Sequence, residues 1–389
     1  MSHNRVEQTL KKTRYVLAPL VAFLPIVGFL IGRSDDDWML TAFFTPFVIF
    51  VCVPILDWMI GRDSVNPERS ELVELTSDRF YRALTVLCLP LYSATVLFGL
   101  WVLVTQTLSP VETIGWVLSI GLIGGIVAIN PAHELIHKSN STEQTIGGLL
   151  LATVCYGTFK VEHLAGHHVD VATPADQSTA PRGESVYRFI LQSILKNPHR
   201  AIELEQRACV ERGTVWRWHM SESVGWTAVS LGWLVACAVS VDVFSTRSPW
   251  IGVAYFLAQA LVAITLLEII NYIEHYGLSR RIEDGEDDSP RYERVTHLHS
   301  WNSNFALTNA LLFQLQRHSD HHAHSFRRYQ TLRHHPDSPQ LPAGYSTMVL
   351  VALVPPLWFR VMDGRIPKYA TFSDVQKPGI AETSSTTRR

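Results

Sequence analysis

The sequence is short of charge. Asp, Glu, Lys and Arg make up 17% of its 389 residues, against about 25% in soluble domains. The shortfall is concentrated in long stretches that carry almost none, which excludes an ordinary soluble domain there. The formal net charge of −2 lacks the basic surplus that a nucleic-acid partner calls for. Cysteine is also scarce: Cys52, Cys88, Cys155, Cys209 and Cys237 are the five, and no two form a CxxC. That spacing excludes a disulfide framework, a four-cysteine iron site and an iron–sulfur cluster within the chain. If the protein needs electrons, a separate carrier brings them. The first ten residues are mostly polar and read as no cleavable signal peptide, so the first apolar run is taken as a retained span.

What the sequence does have is apolar length. Runs at 16–32, 38–60, 83–105, 111–130, 223–244 and 250–271 are 17 to 23 residues long, enough to cross a hydrocarbon core of about 30 Å as helices. Pro25, Pro46, Pro54 and Pro90 fall inside them and are read as kinks. The expectation is an all-α, integral membrane bundle of six helices. Lys11, Lys12 and Arg14 precede the first run, Arg62, Arg69, Arg79 and Arg82 follow the second, and Lys138 follows the fourth, while 105–110 has no Lys or Arg. The positive-inside rule then puts both termini, 131–222 and 272–389 in the cytoplasm. The run 345–361 is short and broken by Pro355 and Pro356, and reads as a buried or interfacial helix. Residues 1–370 read as one domain and 371–389 as a disordered tail.

Nine of seventeen histidines gather in four groups beside these runs. They read His133-Glu134-Leu135-Ile136-His137, His163-x-x-x-His167-His168, Asn271-Tyr272-Ile273-Glu274-His275, and His318-x-x-His321-His322. On a helix, His133 and His137, His163 and His167, and His318 and His322 each share a face and can serve one metal. His168 and His321 point about 100° away, toward a second. His3, His199, His219, His334 and His335 are read as bystanders; His297, His299 and His324 stay unassigned. The first group also fits HExxH, in which Glu134 is the general base of a zinc protease. A catalytic zinc takes three protein ligands, which leaves six of the nine histidines over. Glu134, Glu162, Asp170, Glu274 and Asp320 are therefore read as carboxylates that orient ligand imidazoles, with a solvated surface role equally open for Asp320. Imidazole accepts zinc, copper, iron and nickel. A dinuclear site at a membrane with no redox centre of its own points to iron and O₂ acting on an apolar substrate. A metal transporter would place such ligands inside its spans rather than past their ends.

These four groups resemble the motifs of bacterial membrane alkane 1-monooxygenases, within the superfamily of histidine-box di-iron hydroxylases and fatty-acid desaturases. The stretches Asp170-Val171-Ala172-Thr173-Pro174, Gly183-Glu184-Ser185-Val186-Tyr187 and His299-Ser300-Trp301-Asn302-Ser303-Asn304 match as well, and the likeness runs from about residue 15 to about 363. Asn271–Leu278, as NYxEHYGL, separates this family from the desaturases. The resemblance implies a cytoplasmic helical cap in which His133, His137, His163, His167, His168, His275, His318, His321 and His322 hold two non-haem irons. It implies terminal hydroxylation of medium- to long-chain n-alkanes to 1-alkanols with O₂, the first step of alkane degradation, at the bacterial inner membrane. Electrons would come from rubredoxin, reduced in turn by an NAD(P)H-dependent rubredoxin reductase. Some relatives carry a fused rubredoxin; its cysteines are missing here, so a separate carrier is expected. A xylene or terpene hydroxylase and a desaturase are the alternatives. Secondary C–H bonds are weaker than terminal ones, so terminal selectivity has to come from a narrow apolar channel. Ile49 aligns with the position that limits chain length in the family, or faces lipid. Lys138, Arg317, Arg327, Arg328 and Arg333 are read as a dock for the acidic carrier, or as positive-inside bias alone.

Overall fold

The computed structural model describes residues 12–34, 37–283 and 291–370. His3, Lys11, Asp35, Asp36 and the expected tail at 371–389 lie outside the described residues. Among the described residues, six helices are long and apolar enough to cross a membrane. They are α1 (Lys12–Ser34), α2 (Trp38–Ile60), α3 (Leu72–Thr105), α4 (Pro110–Ile136), α5 (Glu222–Phe244) and α6 (Trp250–His275). Each contains one of the six apolar runs. Hydropathy understates three of them: α3 starts at Leu72, α4 continues to Ile136 and α6 to His275. The extensions are polar, yet Asn130–Ile136 and Asn271–His275 are buried in protein, which keeps their polar groups from lipid contact.

The spans approach closely where side chains are small. A Cβ on Gly99 would lie 2.3 Å from the Tyr255 hydroxyl, and one on Gly121 would lie 2.4 Å from Val262. Such sites let membrane helices pack without a hydrophobic driving force. Two hydrogen bonds register the bundle there: Trp116 Nε1 donates to the Gly99 carbonyl at 2.9 Å and Tyr255 Oη to that of Val96 at 2.8 Å.

Among the described residues, three segments widen into π-helix: Val48–Cys52 in α2, Gly124–Ile129 in α4, and His163–His167. The first two precede prolines. Pro54 cannot donate to the Phe50 carbonyl, nor Pro131 to that of Val127, and the wider turn absorbs the missing bond. Pro90 is carried within α3 with no such break. Wide turns of this kind concentrate at functional sites, and all three contribute residues to one apolar cavity.

A cap of shorter helices closes that end. Ser141–Ala152 packs on the histidine-bearing end of α4, and Val186–Glu211 packs on α6. The chain continues through α7 (Ala306–Leu311), α8 (His318–Ala323), α9 (Tyr345–Ala352) and α10 (Pro355–Met362). The run 345–361 is thus two short helices split before Pro355, as its prolines dictate, with α9 packed on α6.

Candidate metal centre

All nine histidines converge. His133, His137, His163, His168 and His321 form one group, and His167, His275, His318 and His322 a second, each with its ligand atoms within 4.8 Å of one another. Within the first, Nε2 of His163 lies 3.0 Å from Nε2 of His137 and 3.0 Å from that of His168, and His321 Nε2 lies 3.2 Å from His168 Nε2. Within the second, His318 Nε2 lies 3.1 Å from His275 Nε2 and 2.9 Å from His322 Nε2, which is 3.2 Å from His167 Nε2. Lone pairs so close repel unless they share a cation. At a metal–nitrogen bond of about 2.0–2.1 Å, adjacent ligands at a right angle stand about 2.9 Å apart. The two groups therefore fit two metal ions.

The partition corrects one expectation. His163 and His167 begin and end a π turn, and although their rings stack with centroids 5.3 Å apart they serve different groups. That turn brings residues five apart into line, so His163 joins His168 and releases His167 to the other group. The ordinary α spacing holds for His133 with His137 and for His318 with His322.

Burial sets the protonation. It holds His137, His163, His168, His318, His321 and His322 well below the ordinary imidazole value. Neutral imidazoles keep a lone pair for a metal. Burial also acts to lower His167, but the charge and hydrogen bond of Asp176, with Glu162 and Glu274, carry it above the ordinary value.

Asp176 is the residue that sequence reasoning missed. Its carboxylate lies 2.9 Å from His167 Nδ1, where it fixes the tautomer and turns Nε2 inward. Asp176 is held in turn by the Thr179 hydroxyl at 2.7 Å and the Ser178 amide at 3.0 Å. A faint signal was present: an acid among Thr173, Pro174, Ser178 and Thr179, turn-forming residues just after the second histidine group. His275 Nδ1 is oriented by the His299 carbonyl at 3.4 Å, so His299 contributes its backbone and not its ring.

The proposed orienting carboxylates are placed otherwise. Glu134 pairs with Lys138 at 2.9 Å and accepts from the Tyr329 amide, which also removes it from the general-base position of a zinc protease. Asp170 is bound by Arg200. Asp320 accepts from Arg327, the Arg333 amide and His335, tying the loop after α8 to the ligand helix. Glu162 is fully buried with no hydrogen-bond partner on either oxygen among the described residues; burial pushes its carboxyl up to about 8. Glu274 does reach a ligand, but at the inward side: its Oε2 lies 3.2 Å from His318 Nε2, and its Oε1 accepts from Tyr345 at 2.6 Å. It stands beside the inward nitrogen of the second histidine group.

The expected docking patch is largely interior. Lys138 is 5% exposed and Arg317 1%. A positive charge near a membrane surface reads as surface, yet Lys138 is neutralised by Glu134, and Arg317 donates to the carbonyls of Leu332, Asp63 and Val65. Arg327 and Arg328 are partly exposed and paired with Asp320 and Glu143; Arg333 is half-buried. A third cluster, His297, His335 and Asp337, lies nearer the surface. Its two rings stack 12° from parallel with centroids 4.6 Å apart, so their in-plane lone pairs do not meet at one ion.

An apolar cavity of about 430 Å³ leads to the centre. Leu17, Leu20 and Leu24 of α1, Ile49 and Val53 of α2, and Ile126 and Ile129 of α4 line it, and it ends on His133, His163, His318, Asn271 and Glu274. It thus touches both histidine groups. Ile49 is 7% exposed and faces this cavity, not lipid. Ligand and wall share segments: Ile129 precedes His133, Ile270 precedes His275 and Leu315 precedes His318 by three to five residues.

Residues 110–351 match the family model described as fatty acid desaturase. The chain is 46% identical to alkane 1-monooxygenase 2 of Pseudomonas aeruginosa, over 85% of each. It is 44% identical to alkane 1-monooxygenase 2 of Alcanivorax borkumensis, over 91% of this chain and 89% of that one. The hydroxylase component of the xylene/toluene monooxygenase of Pseudomonas putida is similar at 26% identity over 90% of this chain and 87% of that one.

Proposed function

Because the chain belongs to the alkane 1-monooxygenases of the fatty acid desaturase family, we propose that its two histidine groups hold two non-haem irons and that it hydroxylates the terminal carbon of n-alkanes. It is a multi-pass membrane protein with alkane and O₂ as substrates. The overall change is one alkane, one O₂, two electrons and two protons to one 1-alkanol and one water. Rubredoxin, reduced by an NAD(P)H-dependent reductase, is the proposed source of the electrons. The orientation that follows from the basic loops puts the centre at the cytoplasmic face of the inner membrane, within reach of a soluble carrier.

One observation carries this reading: an apolar cavity opening among the spans ends on imidazoles of both groups. When bound, the irons supply the reduction of O₂ and the oxidation of the C–H bond. The chain's own residues do the rest. Neutral imidazoles offer lone pairs without adding charge; Asp176 holds His167 in place and offsets part of the metal charge. The leucines and isoleucines of α1, α2 and α4 exclude water and guide an extended chain so that its methyl end meets the centre. Terminal selectivity is thus a matter of fit.

The test is turnover of a defined n-alkane by the purified, iron-loaded protein with rubredoxin and its reductase under labelled O₂. One labelled oxygen in a 1-alkanol is the expected product. An alkene, or no product with alkane but efficient oxidation of xylene, tells against it.

A further inference from the structure

Asn130 lines the same cavity at 6% exposure, and its side-chain nitrogen has no hydrogen-bond partner among the described residues. It begins the last stretch of α4, three residues before His133 and seven before His137, on the face those ligands use. Three other polar side chains that line the cavity are engaged. Asn271 Nδ2 donates to Glu268 at 3.2 Å, Thr308 Oγ1 to Asp57 at 2.8 Å and Tyr345 Oη to Glu274 at 2.6 Å.

That nitrogen is closed off by its neighbours, so the amide atom open to the cavity is Oδ1, and an acceptor left unpaired beside an apolar chain is unfavourable. Turning the amide over would exchange donor for acceptor without removing the unmet bond. An n-alkane can satisfy neither. A primary alkanol can, because its oxygen sits on the chain end that faces the histidines. Resting on the hydroxylase reading above, we propose that Asn130 forms an oxygen subsite at the closed end of the cavity, its side-chain oxygen accepting the hydroxyl O–H of the 1-alkanol. The subsite favours the oxygenated chain over the hydrocarbon that gives rise to it. Product therefore competes with alkane, and the wall residues alone do not set that competition.

The experiment compares Asn130→Leu with the unmodified protein. Equilibrium binding of a labelled 1-alkanol to the iron-loaded protein in lipid nanodiscs is measured beside KM for the alkane of equal length. Leucine keeps the bulk and removes the acceptor. Alkanol binding is expected to weaken about 3- to 10-fold, the range of one neutral hydrogen bond, a larger shift than that of KM for alkane, with the iron content unchanged. Equal shifts for alkanol and alkane, or no shift, overturn the subsite. A second arm needs no variant: in the unmodified protein the 1-alkanol should bind more tightly than the 1-chloroalkane of equal chain length, and equal binding overturns the proposal. Absence of alkane turnover in the unmodified protein, with alkanol binding still dependent on Asn130, would instead count against the hydroxylase reading.

Discussion

The five-imidazole group and the four-imidazole group meet different surroundings. Among the described residues, no carboxylate pairs with His133, His137, His163, His168 or His321, whereas Asp176 pairs with His167 and Glu274 with His318 in the smaller group. Where a fifth imidazole completes the first group, an acid stands beside the second. Five neutral nitrogens leave the charge of a cation uncompensated; four with two acids nearby offset much of it. Two metals of one kind would then differ in charge environment, one position electron-poor and the other tempered by carboxylate.

The largest effect should come from removing a ligand. His137→Ala should empty the five-imidazole position and His322→Ala the other. Each should lose about one of two irons by elemental analysis and abolish hydroxylation, with the protein still inserted. Full activity with both irons in either variant breaks the assignment of ligands. The next effect separates the groups by their acids. Asp176→Asn should weaken metal binding about 10- to 100-fold at the four-imidazole position, measured by chelator competition. Glu134→Gln should leave metal affinity unchanged, because its partners are Lys138 and Tyr329; equal losses in the two variants would erase the distinction drawn here.

A smaller effect belongs to the cavity that serves both positions. Ile49→Trp should shorten the longest alkane accepted while iron content holds, read as the product profile over a chain-length series. An unchanged upper limit would remove Ile49 from the gate.

The six spans and the nine histidines were legible in the sequence because each rests on a local pattern: apolar length for one, residue type at helical spacing for the other. The partition of the histidines was not, since it depends on one π turn at His163–His167 that shifts the period by a residue. Asp176 was hidden for a related reason. Its contact with His167 is made by a turn through Ala172, whose φ of 58° is a conformation no helix or strand pattern announces. Charge misled in the opposite way. Lys138 and Arg317 look like surface in a chain so poor in charge, but a buried cation needs only nearby acids or carbonyls, and Glu134, Leu332 and Asp63 supply them. Asn130 shows the same limit, because its unpartnered amide becomes visible only once the cavity beside it is known.

The central claim is that the two metal positions are unlike. Mössbauer spectroscopy of protein loaded with isotopically enriched iron tests it most directly. Two quadrupole doublets of equal area are predicted, one for each histidine group, with Asp176→Asn altering only one of them. A single doublet, or an equal change in both, would contradict it.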